Sequence, residues 1–221
     1  MTVYKGDKYI GLSEYMLYGG IPLVALREGA NDKALALQNL FSEIYLRDIF
    51  KRNRIKNAGE LEDLLNILSS AIGSLTNPEK LKNTFKTMKK SKITSNTIKK
   101  YLDYFENSFL IESVQRFDIK EKAYIETPKK YYFSDLGLRN ARITFRQFEQ
   151  THAMENIIYN ELRMRGYRVD AWIVPIAEKD KEGKVSRKQL EVDFVCNLGS
   201  SRYYIQSVSS LPNEAKRTQE I

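Results

Sequence analysis

Cysteine and histidine are almost absent from this chain: Cys196 and His152 are the only ones among its 221 residues. A lone cysteine excludes an internal disulfide and a cysteine-cluster zinc site, and a lone histidine excludes any metal site built on two imidazoles. His152 also leaves a single imidazole for a catalytic triad, and no nucleophile motif accompanies it. Long apolar runs are missing: no stretch of about 18 apolar residues is present, so no transmembrane helix and no membrane partner are expected. No apolar h-region follows Met1-Thr2-Val3-Tyr4-Lys5-Gly6, so no signal peptide is expected either, and a cytoplasmic home is the default expectation. The chain also lacks G-x-x-x-x-G-K-[ST], so it is expected to hold no nucleotide cofactor of its own.

What is present is basic charge and helical periodicity. Lysine and arginine number 36 against 28 acids, a net charge of +8 that fits a polyanionic partner. The length suits about one to two domains at roughly 100–200 residues each. The centre of the chain, residues 77–133, reads helix, turn, helix, strand, turn, strand. Asn77-Pro78 is a helix start, with Leu81, Phe85 and Met88 on one face. Ser95 caps a second helix, whose apolar face is Ile98, Tyr101, Leu102, Phe105 and Phe109. Strands follow at 109–114 and 130–133, joined by a polar connection that includes Asp118-Ile119-Lys120-Glu121-Lys122. Two short helices followed by a hairpin predict a winged helix-turn-helix. Between Lys80 and Lys100 stand eight lysines and no acid. A helical recognition unit with that charge is a nucleic-acid footprint. Lys80, Lys86, Lys89, Lys90, Lys92, Lys99 and Lys100 are the candidate DNA-binding residues. The plainer alternative is a solvated basic face on a helical subdomain.

Before that unit, residues 9–17 are apolar-periodic and end at Tyr18-Gly19-Gly20-Ile21-Pro22, a tight turn. Asn31-Asp32 opens a long helix carrying Leu35, Leu37, Leu40, Phe41, Ile44 and Tyr45. Residues 60–72 form another, with Leu61, Leu64, Leu65 and Leu68 inward and Gly73 as its stop. After residue 149 the character changes. A helix at 154–164 carries Ile157, Ile158 and Leu162, and β-rich runs follow at 167–174, 190–196 and 202–208, with a charged hairpin tip between the first two. Trp172, Tyr203 and Tyr204 have aromatic faces that stack on bases or pack across strands. Asp135 in Phe133-Ser134-Asp135-Leu136-Gly137 reads as a helix N-cap.

Several short motifs occur in a fixed order: Tyr18-Gly19-Gly20-Ile21-Pro22, Tyr45-Leu46-Arg47-Asp48-Ile49, and Tyr101-Leu102 with Phe109-Leu110-Ile111. Tyr131-Tyr132-Phe133-Ser134-Asp135-Leu136-Gly137-Leu138, Glu155-Asn156, Glu191-Val192-Asp193-Phe194-Val195 and Tyr204-Ile205-Gln206 follow. Their order and wording resemble the C-terminal half of a family of bacterial and archaeal AAA-type ATPases. In that family a P-loop ATPase domain precedes a C-terminal region of unknown function. The resemblance implies an α+β chain: a helical segment at 1–60 linking to an ATPase domain absent from this sequence, a winged helix-turn-helix at 61–148, and a restriction-endonuclease-like α/β domain at 149–221, truncated at its C-terminus. It implies ATP and magnesium as cofactors of the parent protein, none in this fragment, and the ATPase domain, DNA or a protein as partners.

In nuclease-like folds of that kind, a helix supplies a glutamate and two adjacent strands supply Asp and then Glu-x-Lys, the carboxylates holding magnesium. Carried over by position, Glu155 matches the helix glutamate and Asp193 the strand aspartate. Gln206 stands where the second acid belongs, and Val208 where the lysine belongs. Glu191 shares a strand face with Asp193 and is the remaining substitute for the missing acid. The expectation is a degenerate nuclease site without metal, in which Glu155-Asn156 braces the sheet and Asp193 accepts from a backbone amide. An active metal-dependent DNase and a protein-interaction module are the alternatives.

Overall fold

A computed structural model describes residues 7–55, 57–118, 123–146, 149–179 and 185–208. Its first half is helical: α1 (Lys8–Tyr18), α2 (Pro22–Ala25), α3 (Ala30–Asn39), a π-helical stretch (Leu40–Leu46), α4 (Arg47–Asn53), α5 (Ala58–Ser70), α6 (Pro78–Lys89) and α7 (Ser95–Asn107). The sheet region follows: β1 (Ile111–Asp118), β2 (Ala123–Phe133), α8 (Leu136–Arg142), α9 (Gln150–Met164), β3 (Arg168–Lys179), β4 (Val185–Leu198) and β5 (Ser201–Ile205). The class is mixed α+β. No helix among the described residues is long and apolar enough to cross a membrane.

The helices form where apolar spacing and caps agree. In α5 the Asn57 side chain accepts from the Glu60 amide, and Leu61, Leu64, Leu65 and Leu68 are all buried. In α6 Asn77 accepts from the Lys80 amide at 2.7 Å, and Pro78 takes the first position, where its missing N–H costs nothing. Thr94, not Ser95, caps α7; Ser95 is its first helical residue and its hydroxyl donates to Glu79 instead.

Three expected core residues point outward. Leu35 is exposed because Leu37, two positions on, faces the core, and two positions are about 200° around a helix. Met88 is exposed because the buried stripe of α6 stops at Phe85; its last turn shares an open surface with Thr84 and Thr87. Phe109 is 74% exposed because it occupies the left-handed position after α7, with φ 56°. The Leu110 amide then donates back to the Phe105 carbonyl, and Leu110, not Phe109, enters the core.

One five-stranded sheet runs in the order β2-β1-β3-β4-β5. Neighbours are antiparallel except β1 and β3, which pair in parallel through Arg116 with Ala171 and Phe117 with Trp172. The sheet thus crosses residue 149 without a break, and a single apolar cluster extends from Met16 and Leu37 through Phe105 to Phe194 and Cys196. The β1–β2 register shifts between Val114, which pairs with Lys130, and Arg116, which pairs with Ile125, so residues 126–129 of β2 stand opposite Gln115 alone. The outer edge of β2 is covered by the chain leaving α5: Thr76 and Lys129 exchange both backbone hydrogen bonds at 2.8 Å, and the Gly73 amide donates to the Tyr131 carbonyl.

Two sequence motifs lock α1 to α8. The Asp135 carboxylate caps α8 by accepting from the Leu138 amide and reaches back to accept from the Gly20 amide at 2.7 Å. Asn140 donates to the last carbonyls of α1, those of Met16 and Leu17. Gly137 is required by the close approach, since a Cβ there would stand 2.2 Å from the Tyr18 carbonyl oxygen.

Candidate functional site

The most densely charged buried point in the described structure lies between α9 and the sheet. Asn156 positions α9: its side chain donates to the Phe133 carbonyl and accepts from the Phe133 amide, both at 2.8 Å, completing the end of β2. Glu155, one residue earlier, is thereby held against the sheet, with 6% of its surface exposed. Asp193 enters from β4, where Phe194 and Cys196 are fully buried. Its Oδ2 accepts from the Ser207 amide at 2.8 Å, and its own amide donates to Gln206 Oε1 at 3.3 Å. The two carboxylates placed by sequence resemblance therefore do converge.

What joins them is a lysine from a different strand. Lys130 on β2 is 2% exposed, and its Nζ lies 2.9 Å from Glu155 Oε1 and 3.4 Å from Asp193 Oδ1. In sheet order β1 and β3 stand between β2 and β4, so the lysine reaches a carboxylate from a strand that is not its neighbour. Side chains alternate along a strand, so Tyr132 shares the face of Lys130 and donates its hydroxyl to Glu155 Oε1 at 2.5 Å. The Tyr132 ring stacks on Tyr159 at 4.5 Å, and the Tyr159 hydroxyl donates to Glu112, which also accepts from Arg163. Gly73 closes the opposite side. A Cβ there would come within 3.0 Å of Glu155 Oε2, and its φ of +73° is itself a glycine conformation. His152 Nδ1 stands 4.0 Å from the same oxygen.

Burial is the largest influence on Glu155 and raises its pKa; Lys130 and the Tyr132 hydroxyl pull it back, and Asp193 raises it again. Nearby, burial together with the Asp170 carboxylate pushes the Cys196 thiol up to about 11, so it is an inert core residue rather than a nucleophile.

The residues present do not suit the magnesium that the nuclease resemblance implies. Magnesium needs near-octahedral oxygen ligation. Here the inward oxygens of both carboxylates already serve an ammonium, Asp193 Oδ2 serves a backbone amide, and the Gln206 carbonyl oxygen is taken by the Asp193 amide. Val208 is partly exposed and brings no polar atom. The side chain of Glu191, and residues 119–122 of the polar connection, lie outside the described part of the chain.

The second candidate surface is the basic one. Lys80, Lys86, Lys89, Lys90, Lys92, Lys99 and Lys100 are all exposed on α6, the following turn and α7. Two are engaged: Lys80 donates to the Leu75 carbonyl and Lys89 pairs with Asp63 at 3.0 Å. Among the described residues no carboxylate pairs with Lys86, Lys90, Lys92, Lys99 or Lys100. The aromatics weighed for base stacking pack on one another: Trp172 lies 4.9 Å from Tyr204, and Tyr167 meets Tyr203 edge-on at 5.8 Å.

Sequence reasoning missed Lys130 and Ser207. One signal for Lys130 was available: it begins the otherwise aromatic run Lys130-Tyr131-Tyr132-Phe133, and a charge at the head of a buried strand needs a partner.

A family model described as Domain of unknown function (DUF8612) matches residues 10–149. The chain is similar to an uncharacterized protein of Haemophilus influenzae, at 32% identity over 95% of this chain and 48% of that protein. It is similar also to an uncharacterized protein of Methanocaldococcus jannaschii, at 30% identity over 100% of this chain and 46% of the relative. The chain thus spans about half the length of the curated relatives it matches. No solved structure matches it.

Proposed function

We infer a function on the premise that this chain belongs to the DUF8612 family: it is a recognition region that binds duplex DNA without sequence preference and does not cut it. The observation that carries this reading is the row of exposed lysines Lys86, Lys90, Lys92, Lys99 and Lys100 on α6, its turn and α7, free of carboxylate partners among the described residues. Phosphate neutralisation by lysine supplies most of non-specific affinity. The order α6, α7, β1, β2 supports a winged-helix reading of that face, with α7 toward the groove. The helix glutamate and strand aspartate support descent from a nuclease-like fold. The ammonium between them, and the loss of a second acid and lysine at Gln206 and Val208, support loss of cutting. In the intact protein, ATP hydrolysis is assigned to a P-loop domain outside this chain, on the resemblance of its motifs to AAA-type ATPases.

A specific observation favours a second reading, a protein partner. Among the described residues β5 is an edge strand, and its Tyr203 and Tyr204 are about half exposed, beside Ile157 and Ile158 of α9. The discriminating experiment uses supercoiled plasmid in magnesium or manganese. Retardation without nicking, equal for the parent and Asp193→Ala, is the expected result. Nicking that disappears in Asp193→Ala would establish a nuclease instead, and no retardation would turn the assignment to a protein partner.

A further inference from the structure

We propose that the Lys130 ammonium is the resident cation of the Glu155–Asp193 pair, standing where a divalent ion would otherwise bind, and that removing it alone uncovers a divalent-cation site. Two buried carboxylates held side by side require positive charge, because an uncompensated anion in a poorly solvated site is costly. The geometry shows where that charge sits. Glu155 Oε1 from α9 and Asp193 Oδ1 from β4 converge on one point, and Lys130 Nζ occupies it at 2.9 and 3.4 Å. Those are ammonium distances; a calcium ion at the same point, with oxygens at about 2.3–2.6 Å, would draw Glu155 in by roughly 0.3–0.6 Å and Asp193 by roughly 0.8–1.1 Å.

A second observation lies beside Asp193, on its other carboxylate oxygen. Ser207 is 8% exposed and donates its amide to Asp193 Oδ2, yet its hydroxyl oxygen is buried without a hydrogen-bond partner among the described residues. The Tyr132 hydroxyl lies on Glu155 Oε1. With the lysine side chain gone, the two carboxylates lose the cation between them. The lysine reaches that point from β2, whereas the position expected by resemblance, Val208, follows β5. The charge at the site is therefore supplied by β2, not by β4 or β5, the strands that carry Asp193 and precede Gln206.

The test compares thermal unfolding of the parent, Asp193→Asn, Lys130→Ala and Lys130→Ala/Asp193→Asn in manganese, in calcium and in n-propylammonium, which replaces the atoms that the alanine lacks. The parent is expected to show no manganese-dependent shift that Asp193→Asn abolishes. Lys130→Ala is expected to gain stability from manganese and from propylammonium; at 100 times the dissociation constant, its folded-to-unfolded ratio rises about 100-fold. The double variant is expected to lose the manganese response, and the manganese resonance spectrum of Lys130→Ala should broaden on binding. Should Lys130→Ala not fold alone, recovery of its folded signal on refolding in manganese or calcium supports the proposal, and recovery in propylammonium alone or in none of the three overturns it. Asp193-dependent stabilisation of the parent by manganese, or indifference of a folded Lys130→Ala to manganese and calcium, overturns it as well.

Discussion

Replacing Lys130 by methionine keeps nearly the volume of the side chain and deletes only its charge, so the cost reports the electrostatics of the buried site. In the parent protein the ammonium is 2% exposed and touches Glu155 and Asp193 at 2.9 and 3.4 Å. Breaking such a buried pair from one side leaves uncompensated charge and costs about 3–5 kcal/mol. For a chain of this size each kcal/mol moves the melting midpoint by about 2–4 °C, so Lys130→Met should melt about 6–20 °C lower. Equilibrium urea unfolding measures the loss directly. Neutralising the partners as well, in Lys130→Met/Glu155→Gln/Asp193→Asn, should recover at least half of it, because the penalty belongs to the orphaned carboxylates. The deficit should also depend on pH. Burial already holds Glu155 above its ordinary 4.5, so the folded state binds that proton more readily than the unfolded state does. Stability from this group is full below the unfolded value and falls as pH rises through the folded one. Without Lys130 the folded value climbs further, so the deficit of Lys130→Met should shrink on acidification toward pH ~4 and persist at neutral pH. A loss below about 1 kcal/mol, the scale of an exposed pair, or one that does not change with pH, would refute the reasoning.

Phe109→Gly should stabilise the protein. The side chain is 74% exposed at φ 56°, where a Cβ costs roughly 1–2 kcal/mol, of which the added chain entropy of glycine returns part; a net gain of about 0.5–1 kcal/mol in urea unfolding is expected, and a loss would contradict it. Gly137→Ala should do the reverse. Helix propensity alone favours alanine by about 0.8–1 kcal/mol, but its Cβ would meet the Tyr18 carbonyl oxygen at 2.2 Å, and overpacking of that kind costs about 1–3 kcal/mol net. An unchanged or raised melting midpoint for Gly137→Ala would show that α1 is not locked to α8 as described.

The helical half was legible because its determinants are local. The spacing of Leu61, Leu64, Leu65 and Leu68, the Asn77-Pro78 start and the apolar face of α7 each act within one or two turns, and the structure follows them. The departures occur where helix ends redirect the chain: Met88 in a last turn and Phe109 in a left-handed cap, whose exposure no periodicity encodes. Asp135 was legible as a cap, but its second bond, to Gly20 115 residues away, was not. The sheet was legible only in pieces. The β-rich composition marked the five strands but read some of them short, 130–133 for β2 (Ala123–Phe133) and 190–196 for β4 (Val185–Leu198), and the parallel pairing of Arg116 with Ala171 joins strands separated by α8 and α9. Glu155 and Asp193 were reachable through resemblance. Lys130 was not, because it stands on β2, two strands removed from β4 in the sheet, and no spacing along the chain relates it to Asp193.

The most direct test of DNA recognition by α6 and α7 is the salt dependence of binding to a random-sequence duplex, followed by fluorescence anisotropy for the parent and for Lys99→Glu/Lys100→Glu. If about four lysines engage phosphates, log K falls with log salt at a slope of roughly −3.6, from ~0.9 per contact. The paired reversal should weaken binding for every sequence tested and flatten the slope by about 2. Binding that ignores salt, or a Lys99→Glu/Lys100→Glu variant with the parent's affinity and slope, would contradict the assignment of this face to DNA.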